Sequence, residues 1–320
     1  MLAALSGSAV MNRAEIAAAP KVSVCVITYN HEKYIRRCLQ SIVDQRTNFR
    51  FDVFVGDDCS SDDTRKIISE FADRYPDMVF PIFNDRKIGG TQNYVSTHSM
   101  ARGEYIAHVD GDDLVYPGKL QRQADYLDTR PDLVLVWHVV NVFDDAGASA
   151  GQMHRCLAEI VDPAQITLGD VLRFGSLGAA SSVMYRHSVE NHLAEISTDT
   201  LDFYFAARLL EYGNGARLDE LLGGYRCNPA QATLSKTSSP YFSRSPMRSL
   251  LAAHLAQLLR RNRLQRDAVF LNAVFNLCVE LRFLRPSGFD FFWLALRTFS
   301  ISAARQLPDY FAKAFRLRLR

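Results

Sequence analysis

Several signatures are missing from this 320-residue sequence, and each absence excludes a class. Its six cysteines (Cys25, Cys38, Cys59, Cys156, Cys227, Cys278) form no CxxC pair and no metal-like spacing. Most sit in apolar runs as free thiols do, which fits a reducing cytosol rather than a disulfide framework. GxGxxG, Walker A and GxSxG are all absent, so dinucleotide, P-loop and hydrolase readings lack their motifs. None of the eight histidines pair at helical spacing with a third ligand, which argues against zinc; His187 and His192 read as plain surface residues. No uncharged apolar run approaches the roughly 18 residues that a membrane span needs. Residues 1–20 are Ala-rich, but Arg13 and Glu15 interrupt any signal-peptide core, so they read as a loose leader.

The net charge of +2 hides an asymmetry. Residues 241–320 hold 14 Lys/Arg against 4 Asp/Glu, leaving residues 1–240 at −8. An acidic body and a basic tail suit different partners, the tail phosphates or anionic lipid. Nothing points to nucleic acid.

Alternation dominates residues 22–142. VSVCVIT (22–28), FDVFVG (51–56), MVFPIF (78–83), YIAHV (105–109) and LVLVWHVVNV (133–142) read as strands separated by helical spacing. Pro81 places the third strand at an edge. Ile67, Ile68 and Phe71 form the inner face of one intervening helix, and Pro117 suits the first position of another. This pattern predicts an α/β fold with a mostly parallel central sheet. After about residue 150 it fades; 164–235 mix helices with short strands, and FGSLGAASS (174–182) reads as a loop approaching something closely. KTSSPYFSRSP (236–246) is a linker, and 247–320 a helical, basic extension.

In such sheets ligands bind at the carboxyl ends of the strands. Three polar clusters fall there: Thr28-Tyr29-Asn30, Asp57-Asp58, and Asp110-Gly111-Asp112-Asp113. Three close carboxylates repel and raise each other's pKa, so they suit a divalent cation or a solvated helix-capping turn. Mg²⁺ or Mn²⁺ takes one or two such carboxylates when phosphates supply the other ligands. Asp58 is surplus to the capping that Ser60, Ser61, Asp62 and Asp63 provide, and could meet a nucleobase N–H or ribose hydroxyl. Arg86 and Lys87, before Gly89-Gly90, could neutralise a diphosphate.

VSVCVITYNHEKYIRRCLQSI, VFVGDDCSSDDT, ARGEYIAHVDGDDLVYPGKL and LDFYFAARLLEYG resemble, in that order, the successive motifs of family 2 glycosyltransferases. The resemblance covers about residues 20–230. It implies a GT-A catalytic domain over 21–235, with a nucleotide-binding half (21–143) and an acceptor half (144–235). It further implies an inverting enzyme that uses a nucleotide-diphosphate sugar, a UDP-sugar favoured, and a Mn²⁺ or Mg²⁺ ion. By the same resemblance Thr28, Tyr29 and Asn30 line the nucleotide pocket and Asp58 holds the base. Asp110, Asp112 and Asp113 form the DxD-type metal motif, Asp112 foremost, and Arg86 and Asn93 lie in a donor-contacting stretch. Asp202 stands as catalytic base, with Leu201 where the family carries Glu; Arg226 falls in a loop that closes over the diphosphate. The acceptor would be a saccharide or lipid-linked hydroxyl in polysaccharide or glycolipid assembly. That implies a cytoplasmic protein, peripheral at the inner membrane face if GFDFFWLALRTFSISAARQLPDYFAKAFRLRLR lies in the interface. The same segment could instead pack on the catalytic domain. Two rivals are a non-catalytic sugar-nucleotide-binding scaffold, which Leu201 favours, and a sugar-phosphate nucleotidyltransferase. TYNHEKY after the first strand lacks the Gly-rich signature loop of the latter.

Overall fold

The computed structural model describes residues 19–153, 157–196, 200, 202–227, 245–282 and 288–319. The leader, the linker, Asp199, Leu201 and the loop beyond Cys227 lie wholly or mostly outside the described residues.

The five apolar runs form strands. β1 (Val22–Thr28), β2 (Phe51–Asp57), β3 (Val79–Phe83) and β4 (Tyr105–Asp110) pair in parallel, in the order β3-β2-β1-β4. β3 is the edge, where Pro81 leaves no ladder partner short of a donor. α1 (Ile35–Val43), α2 (Thr64–Arg74), α3 (Gly90–His98) and α4 (Lys119–Thr129) follow the four strands in turn. As expected, α2 buries Ile67, Ile68 and Phe71.

Three elements depart from the sequence pattern. β6 (Leu133–Phe143) does not pair with β4: the three-residue β8 (Met184–Arg186) lies between them, antiparallel to both. β9 (Asn214–Arg226) is 13 residues long where only short strands were expected, because Arg217, Asp219, Glu220 and Gly223-Gly224 break its apolar rhythm. It is fixed by tertiary pairing, parallel to β6 and antiparallel to the short β5 (Leu114–Val115). Pro117 does not open α4; Gly118, at φ +90°, turns the chain first. β7 (Ser149–Gln152) completes the sheet of nine strands beside β6.

Alternation along each strand divides the core in two. Val24, Val26, Tyr105, Ala107 and Val109 pack with α1, α2 and α4. Cys25, Ile106, Leu135, Trp137 and Tyr185 face the other way, into a core shared with the later helices. Those are α5 (Leu168–Phe174), α6 (Asp202–Leu209), α7 (Ser245–Arg261), α8 (Arg266–Arg282), α9 (Gly288–Thr298) and α10 (Ile301–Leu319). Fully buried Phe275 and Phe291 each contribute about 1.5–3 kcal/mol there. The Asn272 side chain of α8 donates to the Leu172 and Arg173 carbonyls, and the Tyr310 hydroxyl of α10 donates to the Arg173 carbonyl at 2.6 Å. These bonds satisfy α5's terminal carbonyls. The C-terminal helices are thus packed into the same core as α5 and α6.

Candidate active site

Register brings the predicted clusters to one edge. Thr28 lies opposite Asp57, and Ile27 opposite Asp110. The period of two that sends Val109 inward puts Ile106, His108 and Asp110 on the opposite face, toward α3 and α6.

The Asp110–Asp113 turn is held from three sides. Gly111 permits its approach to β1: a Cβ there would lie 2.8 Å from Thr28 and 3.1 Å from His31 Nδ1. The Ser181 hydroxyl accepts from the Asp110 amide at 2.8 Å and donates to Asp113 Oδ2 at 2.5 Å. The Arg226 amide donates to Asp113 Oδ1 at 2.7 Å, and its Nε to the Asp112 carbonyl at 2.9 Å. The Arg226 guanidinium is buried between Tyr34 and Phe143 and paired with Asp145 at 3.1 Å. Arg226 therefore clamps the turn, and Asp113 spends both oxygens on the residues that hold it. Ser181 was not singled out from the sequence, although FGSLGAASS carried the signal of a close approach.

The other expected positions divide in the same way. Tyr29 is partly exposed, with Lys87 Nζ 3.6 Å from its ring centre, and Arg86 is exposed at the same rim. Asn30, at φ +54°, accepts from the Ser61 amide at 2.9 Å and braces the β2 loop. Buried Asp58 accepts from the Ile88 and Gly89 amides at 2.6 and 3.0 Å, fixing the loop before α3. A carboxylate has about four acceptor positions, so these bonds leave room for a ligand N–H. Asn93 is buried; its amide donates to the Gly56 carbonyl and accepts from Asn84, locking α3 to the ends of β2 and β3. Asp57, the other carboxylate of its cluster, anchors Arg65 at 2.6 Å, and Arg65 also donates to the Asn84 carbonyl.

Asp202 opens α6 and lines a cavity of about 640 Å³ together with Asp110, His108, Trp137, Phe205 and Leu250. Asp202 is exposed by surface area, yet the protein packed around it is dense enough to penalise its charge. Burial, and then the Asp110 charge, push its carboxyl up to about 6. Burial acts to raise Asp110 also, but His108, His31 and Ser181 together outweigh it and hold that carboxyl below its ordinary value. Asp112 is raised by burial and Asp113 well above, first by burial and then by the Asp112 and Asp110 charges.

Behind Asp110 runs a buried chain that the sequence did not reveal. His108 Nε2 is 3.2 Å from Asp110 Oδ1, its Nδ1 is 3.0 Å from His98 Nε2, and His98 Nδ1 is 2.7 Å from the Tyr185 hydroxyl. Tyr94 stacks on His98 at 3.8 Å and on Phe205 at 4.0 Å, joining this chain to the helix of Asp202. Burial holds His98 well below the usual imidazole range. Lys119, equally unexpected, is fully buried under the turn and donates to the Ser181 carbonyl at 2.7 Å; burial pulls it down to about 7. His187 and His192 are half-buried rather than plain surface residues: His187 Nδ1 lies 2.8 Å from the Gly103 carbonyl and His192 stacks on Tyr212.

Among the described residues no three side chains are grouped as an all-protein metal site. The donor set fits a cation that takes most of its ligands from a bound diphosphate. Asp110 and Asp112 offer hard carboxylate oxygens, and the nearby Thr28 Oγ1 is buried with no partner.

A parallel sheet whose β4 ends in an acidic turn, continued by β8, β6 and β9, is the GT-A architecture. Residues 23–175 match the family model described as Glycosyl transferase family 2. It is 34% identical over 211 residues to an uncharacterised protein of Mycobacterium tuberculosis, a match covering 64% of this chain and 58% of that one. The chain therefore spans little more than half the length of its mycobacterial relatives. Among solved structures it resembles TarS 1–349 of S. aureus in complex with UDP-GlcNAc (TM-score 0.63, 18% identity, 93% of this chain and 89% of that one). It also resembles the mannosyltransferase PcManGT of Pyrobaculum calidifontis in complex with GDP-Man and Mn²⁺ (TM-score 0.58, 18% identity, 93% and 81%). At those identities the likeness speaks to fold.

Proposed function

We propose that the protein is an inverting glycosyltransferase that moves a sugar from a nucleotide-diphosphate sugar, a UDP-sugar favoured, to an acceptor hydroxyl. The observation that carries this is the shared cavity of Asp110 and Asp202, in which one carboxyl is held low and the other is raised to about 6. Two carboxylates pushed apart in pKa suit different tasks, and a base works best with a pKa near the operating pH.

The base and ribose of the donor lie along Thr28, Tyr29 and Asp58, with Arg86 and Lys87 at the rim facing its diphosphate. Asp112 and Asp110 would hold a Mn²⁺ or Mg²⁺ ion, which supplies offsetting charge for the leaving diphosphate. The structure of PcManGT, a fold neighbour, is a complex with GDP-Man and Mn²⁺. Asp113, Ser181 and Arg226 keep the turn in place. Asp202, mostly ionised at neutral pH, accepts the acceptor's hydroxyl proton as that oxygen attacks the anomeric carbon from the face opposite the leaving group. A new C–O bond forms, the bond to the diphosphate breaks, and the nucleoside diphosphate carries away the electron pair. The acceptor is a hydroxyl of a saccharide or lipid-linked saccharide, in bacterial polysaccharide or glycolipid assembly. Fully buried free Cys25 and Cys38 suit the reducing cytoplasm for this reaction.

Asp202→Asn tests the reading. Sugar transfer should fall by about a thousandfold or more, in the upper range for loss of a general base. Nucleotide binding should be unchanged, and near wild-type turnover would remove Asp202 from its role. The scaffold reading rests on Leu201; nucleotide binding with neither transfer nor donor hydrolysis in Mn²⁺ would favour it.

A further inference from the structure

The C-terminal helices carry a surface that sugar transfer does not use. α9, GFDFFWLALRT, is apolar almost all round. Its inner face, Phe291, Leu294, Ala295 and Thr298, is buried in the core shared with α8. Its outer face sets Phe289, Phe292, Trp293 and Leu296 at spacings of three and four, and Phe299 and Ile301 extend this ridge to the start of α10. All six are exposed, Phe289 at 73% and Ile301 at 66%. A helix on a soluble domain needs one apolar stripe and is otherwise polar. At about 150–250 Å² per aromatic, the ridge presents on the order of 500 Å² of apolar surface. That is the upper end of what soluble monomers leave in water.

Charge indicates the occupant. Residues 241–320 hold 14 Lys/Arg against 4 Asp/Glu, and Arg297 and Arg305 are exposed on α9 and α10 themselves. A two-fold contact with a second copy would set this basic segment against itself, because such an interface uses the same patch on both sides. Like charges across an interface oppose association. An anionic bilayer surface offers the reverse: an acyl boundary for Phe and Trp, and negative headgroups for Arg.

We infer that the outer face of α9, with Phe299 and Ile301, docks the protein on a membrane surface bearing anionic phospholipid. The two alternatives that the sequence posed for this segment then belong to opposite faces of one helix. The docked face is one helix away from the cavity: the Ser249 hydroxyl of α7 donates to Asp290 of α9 at 2.6 Å, and the next residue, Leu250, lines the cavity of Asp202. An acceptor held in the bilayer would meet the site from that side, a corollary that rests on the proposed transfer reaction; docking itself does not.

The test is flotation of the full chain with phosphatidylcholine vesicles, with and without phosphatidylglycerol. The chain should float with the anionic vesicles and be released by salt. Of its two tryptophans Trp137 is buried, so a blue shift of emission on adding vesicles reports Trp293. The triple variant Phe289→Ser, Phe292→Ser, Leu296→Ser keeps that reporter and should lose about tenfold or more of the floated fraction, with its thermal melt unchanged. Arg297→Glu with Arg305→Glu, which leaves the ridge intact, should abolish the preference for phosphatidylglycerol. Equal flotation of wild type and triple variant, or no flotation and no emission shift, overturns the proposal. So does an oligomer that the triple variant dissociates while vesicles bind neither form.

Discussion

The raised carboxyl of Asp202 makes a prediction that an ordinary aspartate would not. Its folded value of about 6 arises first from burial and then from the Asp110 charge. A raised carboxyl gains its proton as pH falls through that value, so the base is lost on the acid side. At one pH unit above such a value a carboxyl is about nine-tenths ionised, and at one unit below about one-tenth. The second-order rate for acceptor, measured at saturating donor as nucleoside diphosphate release, should therefore fall about tenfold from pH 7 to pH 5. An aspartate near 3.9 would stay more than about nine-tenths ionised over that window and give an almost flat profile. Loss of donor binding could mimic the limb, since Asp112 is raised as well. Thermal stabilisation by nucleotide with Mn²⁺, recorded at both pH values, separates the two. A flat profile with donor bound at both pH values would refute the assignment of Asp202 as a desolvated base.

Two further expectations concern the turn. Asp112→Ala should remove the Mn²⁺-dependent part of nucleotide stabilisation while leaving the melt of the free protein within about 1 kcal/mol, because the bond from Arg226 goes to the Asp112 carbonyl, which alanine keeps; unchanged nucleotide affinity with Mn²⁺ present would contradict it. Ser181→Ala removes the donor to Asp113 and the acceptor for the Asp110 amide, so denaturant unfolding should show a loss of about 1–3 kcal/mol.

The sheet was legible up to residue 143 because β1, β2, β4 and β6 are largely buried on both faces and, with the half-exposed edge strand β3, read as apolar runs. β8 and β9 were not, for a physical reason. Three residues of β8 carry no period, and the charges of β9 serve one-sided exposure and its pairing with β6 and β5. The helix stripe of α9 was visible as composition, but only the fold separates its buried face from its exposed one. At the site, Asp110 and Asp112 were legible as carboxylates at a strand end, and Asp202 through the resemblance of its motif. Ser181, Lys119 and the His108–His98–Tyr185 chain were not, because each acts through a partner between 10 and 87 residues distant.

That difference explains why three adjacent aspartates do not share one role. If all three were ionised side by side, each would raise the others, and burial would add to the cost. The fold resolves this by giving each a different set of neighbours. His108 and Ser181 favour the charged form of Asp110. Asp113 is fully occupied by Ser181 and the Arg226 amide, and burial with two neighbouring charges pushes it toward its neutral form. Asp112 is raised by burial although His31 and Arg226 lie near enough to oppose this, and it spends its carbonyl on Arg226, which leaves its carboxylate the freest of the three to meet a cation. A cation bridging Asp112 and a diphosphate would relieve that repulsion, and Asp113 would contribute by holding the turn rather than by ligation. Asp113→Asn should accordingly weaken the fold through its lost bonds while leaving the Mn²⁺ dependence of nucleotide binding in place.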